Sequence, residues 1–579
     1  MVEILILFIW LVLWALLCGV GLLFFGLIGF SRRHAEDYLN SFWVGWCFLL
    51  FILQLWHLFF PVDRLIVVII ALAGVFGLFC SRRGIIEILK ITPGFGWVLF
   101  FLILMMLFPV ANGALLPSRG YDDGCLYGMQ ITRWFNQYPV VPGLANLHGR
   151  LAFNSSYFLY TAFLNVIYEN FYRLANGLLY LGFLLQAGLG ILRIFYAKKA
   201  VKLGWLFQAL LISPLLIIDR RIDFSLLSSD IPVYFVGMLT AIGLLDLLEN
   251  KGRDNGLDER RKLFYIFTLC LAGITLKLTF FAMGVTTMVI GGLLTKPGKS
   301  ILARISILTI AVILPWVTRS IIMSGYPFYP VPIFPFTVEW RVPLASVKAQ
   351  IASIVSFART PGILNWSKTL NDYSWLKFWW AQRCAFSFVS MFLPLYLAVL
   401  GLLGMFCSRC INAKPVLGRK VYLFLLPAAI NLVYWFFSAP SIRFCGATFF
   451  VLGMGILAAG IYELMRGEKY FGTNIIIAAH LFFCLSAFYS LPILKNSFGF
   501  MGFYDEPKPV VVEFAAASGL KVYVPAKDNK CFGCDLPCTP YPHPGLSLHS
   551  PKAIRDGFKM APYDENDKTV GVPQEGAGR

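Results

Sequence analysis

Long apolar stretches recur through this chain, and they constrain its fold more than any other feature. A helix that crosses the hydrocarbon core of a bilayer needs about 20 mostly apolar residues. The stretches near that length lie at residues 4–30, 42–60, 65–80, 96–113, 174–195, 201–218, 231–248, 262–277, 280–294, 301–317, 386–406, 421–437, 444–464 and 473–491. We therefore predict an all-α membrane protein with about 14 transmembrane helices.

The composition agrees with a lipid environment. Only 14% of the 579 residues are charged, whereas soluble domains have about 25%. The net charge of +19 would suggest a nucleic-acid partner in a soluble protein. Here Lys and Arg form short clusters between apolar stretches, as topology signals do. We therefore expect membrane lipids, and no nucleic acid, around this chain.

The positions of the basic clusters predict the orientation of the helices. The first stretch, 4–30, is too long for a signal peptide and lacks a basic start, so we interpret it as a helix with its N-terminus outside. The clusters that then share one face are Arg32-Arg33, Arg82-Arg83 with Lys90, Lys198-Lys199 with Lys202, Arg260-Arg261-Lys262, Lys296 with Lys299, Lys414 with Arg419-Lys420, and Arg466 with Lys469. The positive-inside rule makes that face cytoplasmic.

Two further helices are predicted in the first long outer segment. Tyr127, Ile131, Trp134 and Tyr138 recur at helical spacing and form one apolar stripe, which favours a surface helix over 124–138. Residues 153–168 are also apolar, but counting them as a span would place Lys198 and Lys199 outside. We therefore expect this segment to lie on the outer membrane surface.

This layout divides the chain into four parts. Residues 1–113 form an N-terminal four-helix membrane segment, and 114–173 form an outer loop with two juxtamembrane helices. Residues 174–491 form the main transmembrane part, which includes the outer loop 318–385. Residues 492–579 form an extracytoplasmic tail, with one strand predicted at 520–524.

Three cysteines lie close together in this tail: Cys531, Cys534 and Cys538. A zinc site would need a fourth ligand, for which His543 is the candidate. An oxidising compartment favours a disulfide instead, joining Cys531 to Cys538 or Cys534 and leaving one thiol over.

Acidic residues are predicted at the outer membrane boundary. Asp122 and Asp123 follow the stretch 96–113 directly, where a carboxylate pair can act as a general base or bind a metal. The alternative is that one of them caps the next helix. Asp230 opens the stretch 231–248, where helix capping is again the alternative.

Basic residues are predicted at a similar depth. Lys277 lies within an apolar stretch, where an ionisable group is costly unless it is functional or reaches the headgroups. Arg319 follows the outer end of a helix, and Arg443 lies in a short outer loop. Cations near acids at the outer leaflet would suit a lipid-linked phosphate or pyrophosphate.

The order of these features resembles the C-type (GT-C) fold of integral-membrane glycosyltransferases, in which an Asp in the first outer loop precedes an aromatic by about four residues. Asp123 and Tyr127 match that spacing. The segments that resemble one bacterial branch of this superfamily are 123–130, 138–144, 146–156, 229–232, 276–278, 324–330, 438–440 with 443–444, and 536–542.

The resemblance implies a location in the bacterial cytoplasmic membrane and the transfer of a sugar from a polyprenyl-phosphate-type donor on the extracytoplasmic side. It implies Asp123 as the base, beside Asp122, with Asp230 orienting the acceptor or holding a divalent metal ion. It also implies a substrate-binding set in which Lys277, Arg319 and Arg443 stabilise the leaving phosphate, His148 and Arg150 shape the entrance, and Tyr127 completes the motif.

Two alternatives come from other classes of function. A non-enzymatic GT-C-like scaffold, transporter or subunit of a larger membrane assembly predicts no convergent pocket around Asp123. A lipid or glycan flippase would need charged residues through the middle of the membrane, where the sequence places few.

Overall fold

The computed structural model describes residues 2–29, 35–91, 94–115, 123–198, 200–211, 226–251, 256–360, 369–370, 372–412, 414–466, 506–550 and 553–560. Eleven helices in this described part are long and apolar enough to cross a membrane. Strands occur there in two small two-stranded sheets near the C-terminus. The chain is therefore a mostly helical, multi-pass membrane protein.

Each of these 11 helices coincides with one of the predicted stretches. The other three stretches differ. Helix Gly256–Leu276 covers most of 262–277, but its first two turns are rich in charged residues. Stretch 201–218 begins as helix Leu203–Leu210 and then leaves the described residues, and 473–491 lies outside them. The count of about fourteen spans remains a prediction.

The first four helices are α1 (Val2–Leu27), α2 (Ala35–Trp56), α3 (Arg64–Ile91) and α4 (Gly94–Gly113). Glycines let the backbones of α1 and α2 touch. A Cβ added at Gly21 would lie 1.9 Å from the carbonyl oxygen of Ser41, and one added at Gly45 would lie 1.9 Å from that of Leu17. Small residues allow this close packing where no hydrophobic effect drives helices together.

The connection after α4 carries the predicted juxtamembrane helices. A π-helical turn, Gly124–Gly128, leads into α5 (Met129–Gln137), and α6 (Leu144–Leu147) and a 3₁₀ turn (Gly149–Ala152) precede α7 (Tyr157–Ile167). Helices are thus present over both predicted segments. Helix α7 differs in one respect, because residues 157–164 are all buried. It packs against α2, α3 and α5 instead of lying exposed on the surface.

The remaining helices are α8 (Ala175–Tyr196), α9 (Leu203–Leu210), α10 (Asp230–Asn250), α11 (Gly256–Leu276), α12 (Phe281–Thr295), α13 (Lys299–Ser324), α14 (Leu344–Arg359), α15 (Trp375–Phe386), α16 (Leu393–Asn412), α17 (Leu426–Ser438) and α18 (Thr448–Met465). Helices α14 and α15 occur in the predicted outer loop 318–385, for which we had no helix prediction.

Ion pairs join the N-terminal helices to the rest of the bundle at the end opposite Asp123. Glu36 at the start of α2 pairs with Arg193 of α8, and Asp37 pairs with Arg261 of α11 at 2.7 Å. One continuous apolar core also includes side chains of α1, α2, α10 and α11. The N-terminal segment is therefore an integral part of the bundle.

The tail packs on the connection that follows Asp123. Strands β1 (Val511–Ala515) and β2 (Lys521–Pro525) form an antiparallel pair, which confirms the predicted strand, and β3 (Leu546–Leu548) pairs with β4 (Phe558–Met560). The side chain of Gln130 donates hydrogen bonds to the carbonyl oxygens of Phe532 and Cys534. The tail is thereby fixed to α5.

Cys531 and Cys538 form a disulfide, which is one of the two predicted pairings. The Cys534 thiol is left over, and its sulfur lies within 4.8 Å of the other two. Burial raises the pKa of Cys534 to about 11, so the thiol is a weak nucleophile at neutral pH.

Candidate functional site

Asp123 lies at the first turn before α5, in the position expected for a helix cap. Its side chain makes no capping hydrogen bond. Instead, Oδ2 accepts a hydrogen bond of 2.7 Å from Nη1 of Arg443, and Oδ1 lies 3.5 Å from Nη1 of Arg150. Capping therefore does not explain this carboxylate, which faces two guanidinium groups.

Asp230 and Lys277 form a second ion pair beside the first. Asp230 is the first residue of α10, and its Oδ1 accepts a hydrogen bond from the Lys277 ammonium. Lys277 has an extended backbone, with φ −161° and ψ 130°, at the break between α11 and a short 3₁₀ turn. This break lets the side chain reach Asp230, so Lys277 is paired within the protein.

Arg443 is carried by the short turn between α17 and α18. It lies in the 3₁₀ turn Ile442–Cys445, which is followed by Gly446 at φ +57°. A positive φ favours glycine, because a side chain there would be strained. The guanidinium carbon of Arg443 lies 5.5 Å from the ring centroid of Phe357 and 5.0 Å from that of Phe444.

The electrostatics join the two ion pairs into one cluster. Burial by itself would raise the pKa of Asp123, but Arg443, Arg150 and more weakly Lys277 together hold that pKa below its usual value. Burial lowers the pKa of Lys277; Asp230 opposes this effect, and the positive charge of Arg443 adds to it. Three cations therefore face two carboxylates, which leaves a net positive site.

Tyr127 and His148 lie at the edge of this cluster. Burial raises the pKa of Tyr127, and the negative charge of Asp123 raises it further. Burial and the charge of Arg150 lower the pKa of His148 to about 3, so this imidazole is neutral at physiological pH. The His148 ring lies 5.4 Å from that of Tyr541, which places a tail residue beside the site.

The side chain of Arg319, which the sequence grouped with Lys277 and Arg443, contacts residues outside this cluster. Its side chain is fully buried, and Nη1 donates a hydrogen bond of 2.8 Å to Oδ1 of Asn154. Its guanidinium carbon lies 5.1 Å from the ring centroid of Phe135. We therefore leave Arg319 out of the phosphate site proposed below. Asp122 lies outside the described residues.

A divalent metal ion between the two acids would need free carboxylate oxygens of Asp123 and Asp230. Asp123 is already paired with Arg443 and Arg150, and Asp230 with Lys277. Adjacent cations compete electrostatically with a metal ion for carboxylate oxygens. As arranged, these residues do not fit a divalent metal, and we derive no step through one. In the part of the chain that is described, the group with metal-ligand spacing is Cys531, Cys534 and Cys538, of which Cys531 and Cys538 form a disulfide.

Sequence reasoning missed the aromatic partners of the cluster. Phe444 lies next to Arg443 in the chain and also contacts Lys277, whose Nζ is 4.3 Å from its ring centroid. Phe357 belongs to α14, a helix that the sequence did not predict. The sequence signal for Phe444 was its position next to Arg443. No sequence signal pointed to Phe357.

The family comparison covers most of this architecture. DUF8201, a domain of unknown function, matches residues 3–450. The chain belongs to this family. The matched region contains the whole charged cluster, from Asp123 to Arg443, and the tail follows it. No curated protein and no solved structure matches the chain.

Proposed function

We propose that this chain is a GT-C-type membrane glycosyltransferase of the bacterial cytoplasmic membrane. It transfers a sugar from a polyprenyl-phosphate-type donor to an acceptor hydroxyl on the extracytoplasmic side. The observation that carries the proposal is the meeting of two acids, Asp123 and Asp230, with three cations, Arg150, Lys277 and Arg443. These residues come from four separate parts of the chain: the long connection after α4, the start of α10, the break after α11 and the turn between α17 and α18.

The excess of cations supports a lipid-phosphate substrate. A phosphate carries more than one acceptor oxygen and competes well for guanidinium groups. A phosphate entering beside Arg443 and Arg150 would take hydrogen bonds that Asp123 now accepts. When the bond between the anomeric carbon and the phosphate oxygen breaks, the electron pair stays on the phosphate, and these cations stabilise the growing negative charge.

The same exchange of partners would prepare Asp123 to act as a base. In the present arrangement Arg443 and Arg150 keep the pKa of Asp123 low, which makes the carboxylate a weak base. Loss of these contacts to a phosphate would raise that pKa, since opposite charges are what hold it down. Asp123 would then accept the proton of the acceptor hydroxyl as its oxygen attacks the anomeric carbon. Donor binding and base activation are thus coupled.

The scaffold alternative has one observation in its favour, because Asp123 and Asp230 are both already paired with cations. Satisfied ion pairs of this kind also occur for purely structural reasons. The two proposals differ in what happens when one charge is removed without changing the volume of the side chain.

The test is sugar transfer by the purified protein in lipid nanodiscs, supplied with a panel of polyprenyl-phosphate sugars. Asp123→Asn should abolish transfer, and Lys277→Met should reduce it by about 100-fold or more, the order found when one charge-stabilising group is removed from an active site. Asp535→Asn is the matched control, since this acid of the tail pairs with Arg133 of α5 and its side chain is 81% exposed. Full activity of Asp123→Asn would show that Asp123 is not the base. Inactive wild-type protein across the panel would favour the scaffold.

A further inference from the structure

One aromatic ring contacts two of the three cations of the cluster, Lys277 and Arg443. Nζ of Lys277 lies 4.3 Å from the ring centroid of Phe444, and the guanidinium carbon of Arg443 lies 5.0 Å from the same centroid. Both distances fall within the roughly 6 Å over which a ring face attracts a cation. Phe444 therefore interacts with two like charges at once.

Two like charges at one site repel each other. Arg443 acts on Lys277 in this sense and favours the neutral amine, as burial does. Asp230, which pairs with Lys277, and Asp123, which pairs with Arg443, oppose this effect. The electron-rich face of an aromatic ring attracts cations without adding a third negative charge, which would repel a phosphate.

Phe444 is held in place by neighbours outside the charged cluster. Its backbone N–H donates a hydrogen bond of 2.9 Å to the carbonyl oxygen of Ser441. Its ring packs against a second apolar cluster, made of Trp375, Trp379, Met391, Trp435, Cys445 and Phe449. This aromatic packing limits the orientations open to the ring, so the two cations are presented at a fixed position.

We infer that Phe444 is a positioning residue, whose ring keeps Lys277 and Arg443 together as charged groups ready to bind one phosphate. The role in phosphate binding rests on the proposed function, because the phosphate is the substrate group proposed there. The effect of the ring on the charge of Lys277 does not rest on it, since that effect is present in the protein without substrate. The groups that act on Lys277 besides Phe444 are Asp230 at the start of α10, Arg443 in the turn after α17, and Asp123 before α5.

The experiment measures the titration of Lys277 in the whole protein without substrate. Reductive methylation with ¹³C-formaldehyde labels lysine amines, and Lys277→Arg identifies the Lys277 signal. In Phe444→Leu the midpoint of this titration should fall by about 0.5 to 1 pH unit, the size expected when a cation–π contact is lost. Phe444→Tyr should keep the wild-type midpoint. Phe357→Leu is the matched control, because Arg443 lies over the ring of Phe357, whereas Lys277 lies over that of Phe444.

Fluorinated phenylalanines at position 444 separate the ring's electrostatics from its packing. Each fluorine withdraws charge from the ring face and changes its shape little, so the Lys277 midpoint should fall stepwise with each substitution. The series also remains informative if Phe444→Leu does not fold. An unchanged midpoint across it, or an equal shift in Phe357→Leu, would overturn the inference. Neither result depends on sugar transfer, so failure here and failure of the proposed function are distinguishable.

Discussion

The guanidinium of Arg443 lies 2.7 Å from a carboxylate oxygen of Asp123. Asp123 belongs to the first long connection of the chain, and Arg443 to the turn before the last described helix. The contact therefore joins two segments of the family region that are 320 residues apart in the chain. The charge state of Asp123 depends on that contact.

The first prediction concerns acid stability. The pKa of Asp123 in the folded protein lies below its usual value of 3.8. Its contribution to stability is therefore present above about pH 4 and is lost as the pH falls through the lowered value. Relative to Asp123→Asn, the wild-type protein should be more stable by about 1 kcal/mol at pH 6, the size typical of a partly exposed ion pair. Apparent melting temperatures from pH 7 to pH 3 should converge at the acid end, and a gap independent of pH would contradict the prediction.

The second prediction concerns the coupling between Asp230 and Lys277, whose side chains are each 20% exposed. Asp230→Asn or Lys277→Met should each destabilise the protein by about 1–3 kcal/mol, because the remaining charge is partly buried and unpaired. The double variant should lose less than the sum of the two.

A matched control for this cycle is the pair Glu513 and Lys521, whose side chains are 55% and 71% exposed. Glu513→Gln and Lys521→Met should show almost no coupling, because exposed ion pairs contribute little. Additive losses at Asp230 and Lys277, like those at the control pair, would show that the two charges do not interact.

The third prediction concerns the tail cysteines. Peptide mapping without reduction should recover Cys531 linked to Cys538, with Cys534 as a free thiol. At pH 8 Cys534 should be alkylated slowly in the folded protein and quickly after denaturation, because burial raises its pKa to about 11. Cys534→Ser should leave the disulfide intact. Complete alkylation of all three thiols without a reductant would contradict the assignment.

The fourth prediction concerns orientation. A reporter fused after Lys199 should be cytoplasmic, and one fused after Lys521 should be exported, because the basic clusters share one face. Paired alkaline phosphatase and fluorescent-protein fusions measure this directly. Reporters on the same side would show that the number of spans between them is wrong by an odd number.

The sequence alone determined most of the helical architecture. Long apolar stretches can satisfy their backbone groups within lipid only as helices, so their positions are a local property of the chain. The stripe from Tyr127 to Tyr138 predicted a helix for the same reason, as helical periodicity depends on neighbouring residues. Ionisable residues in or beside apolar stretches, Asp123, Asp230 and Lys277, could also be selected locally, because their burial is costly.

Only the tertiary structure decided which of these residues meet. Lys277 and Arg319 gave similar signals in the sequence, yet one pairs with Asp230 and the other is buried against Asn154. Phe444 became a partner of two cations because α17 and α18 bring its turn beside the break after α11. Ion pairs and ring contacts act over a few ångströms, whereas these residues are far apart in the chain. Their pairing is therefore set by how the helices pack, which no local pattern records.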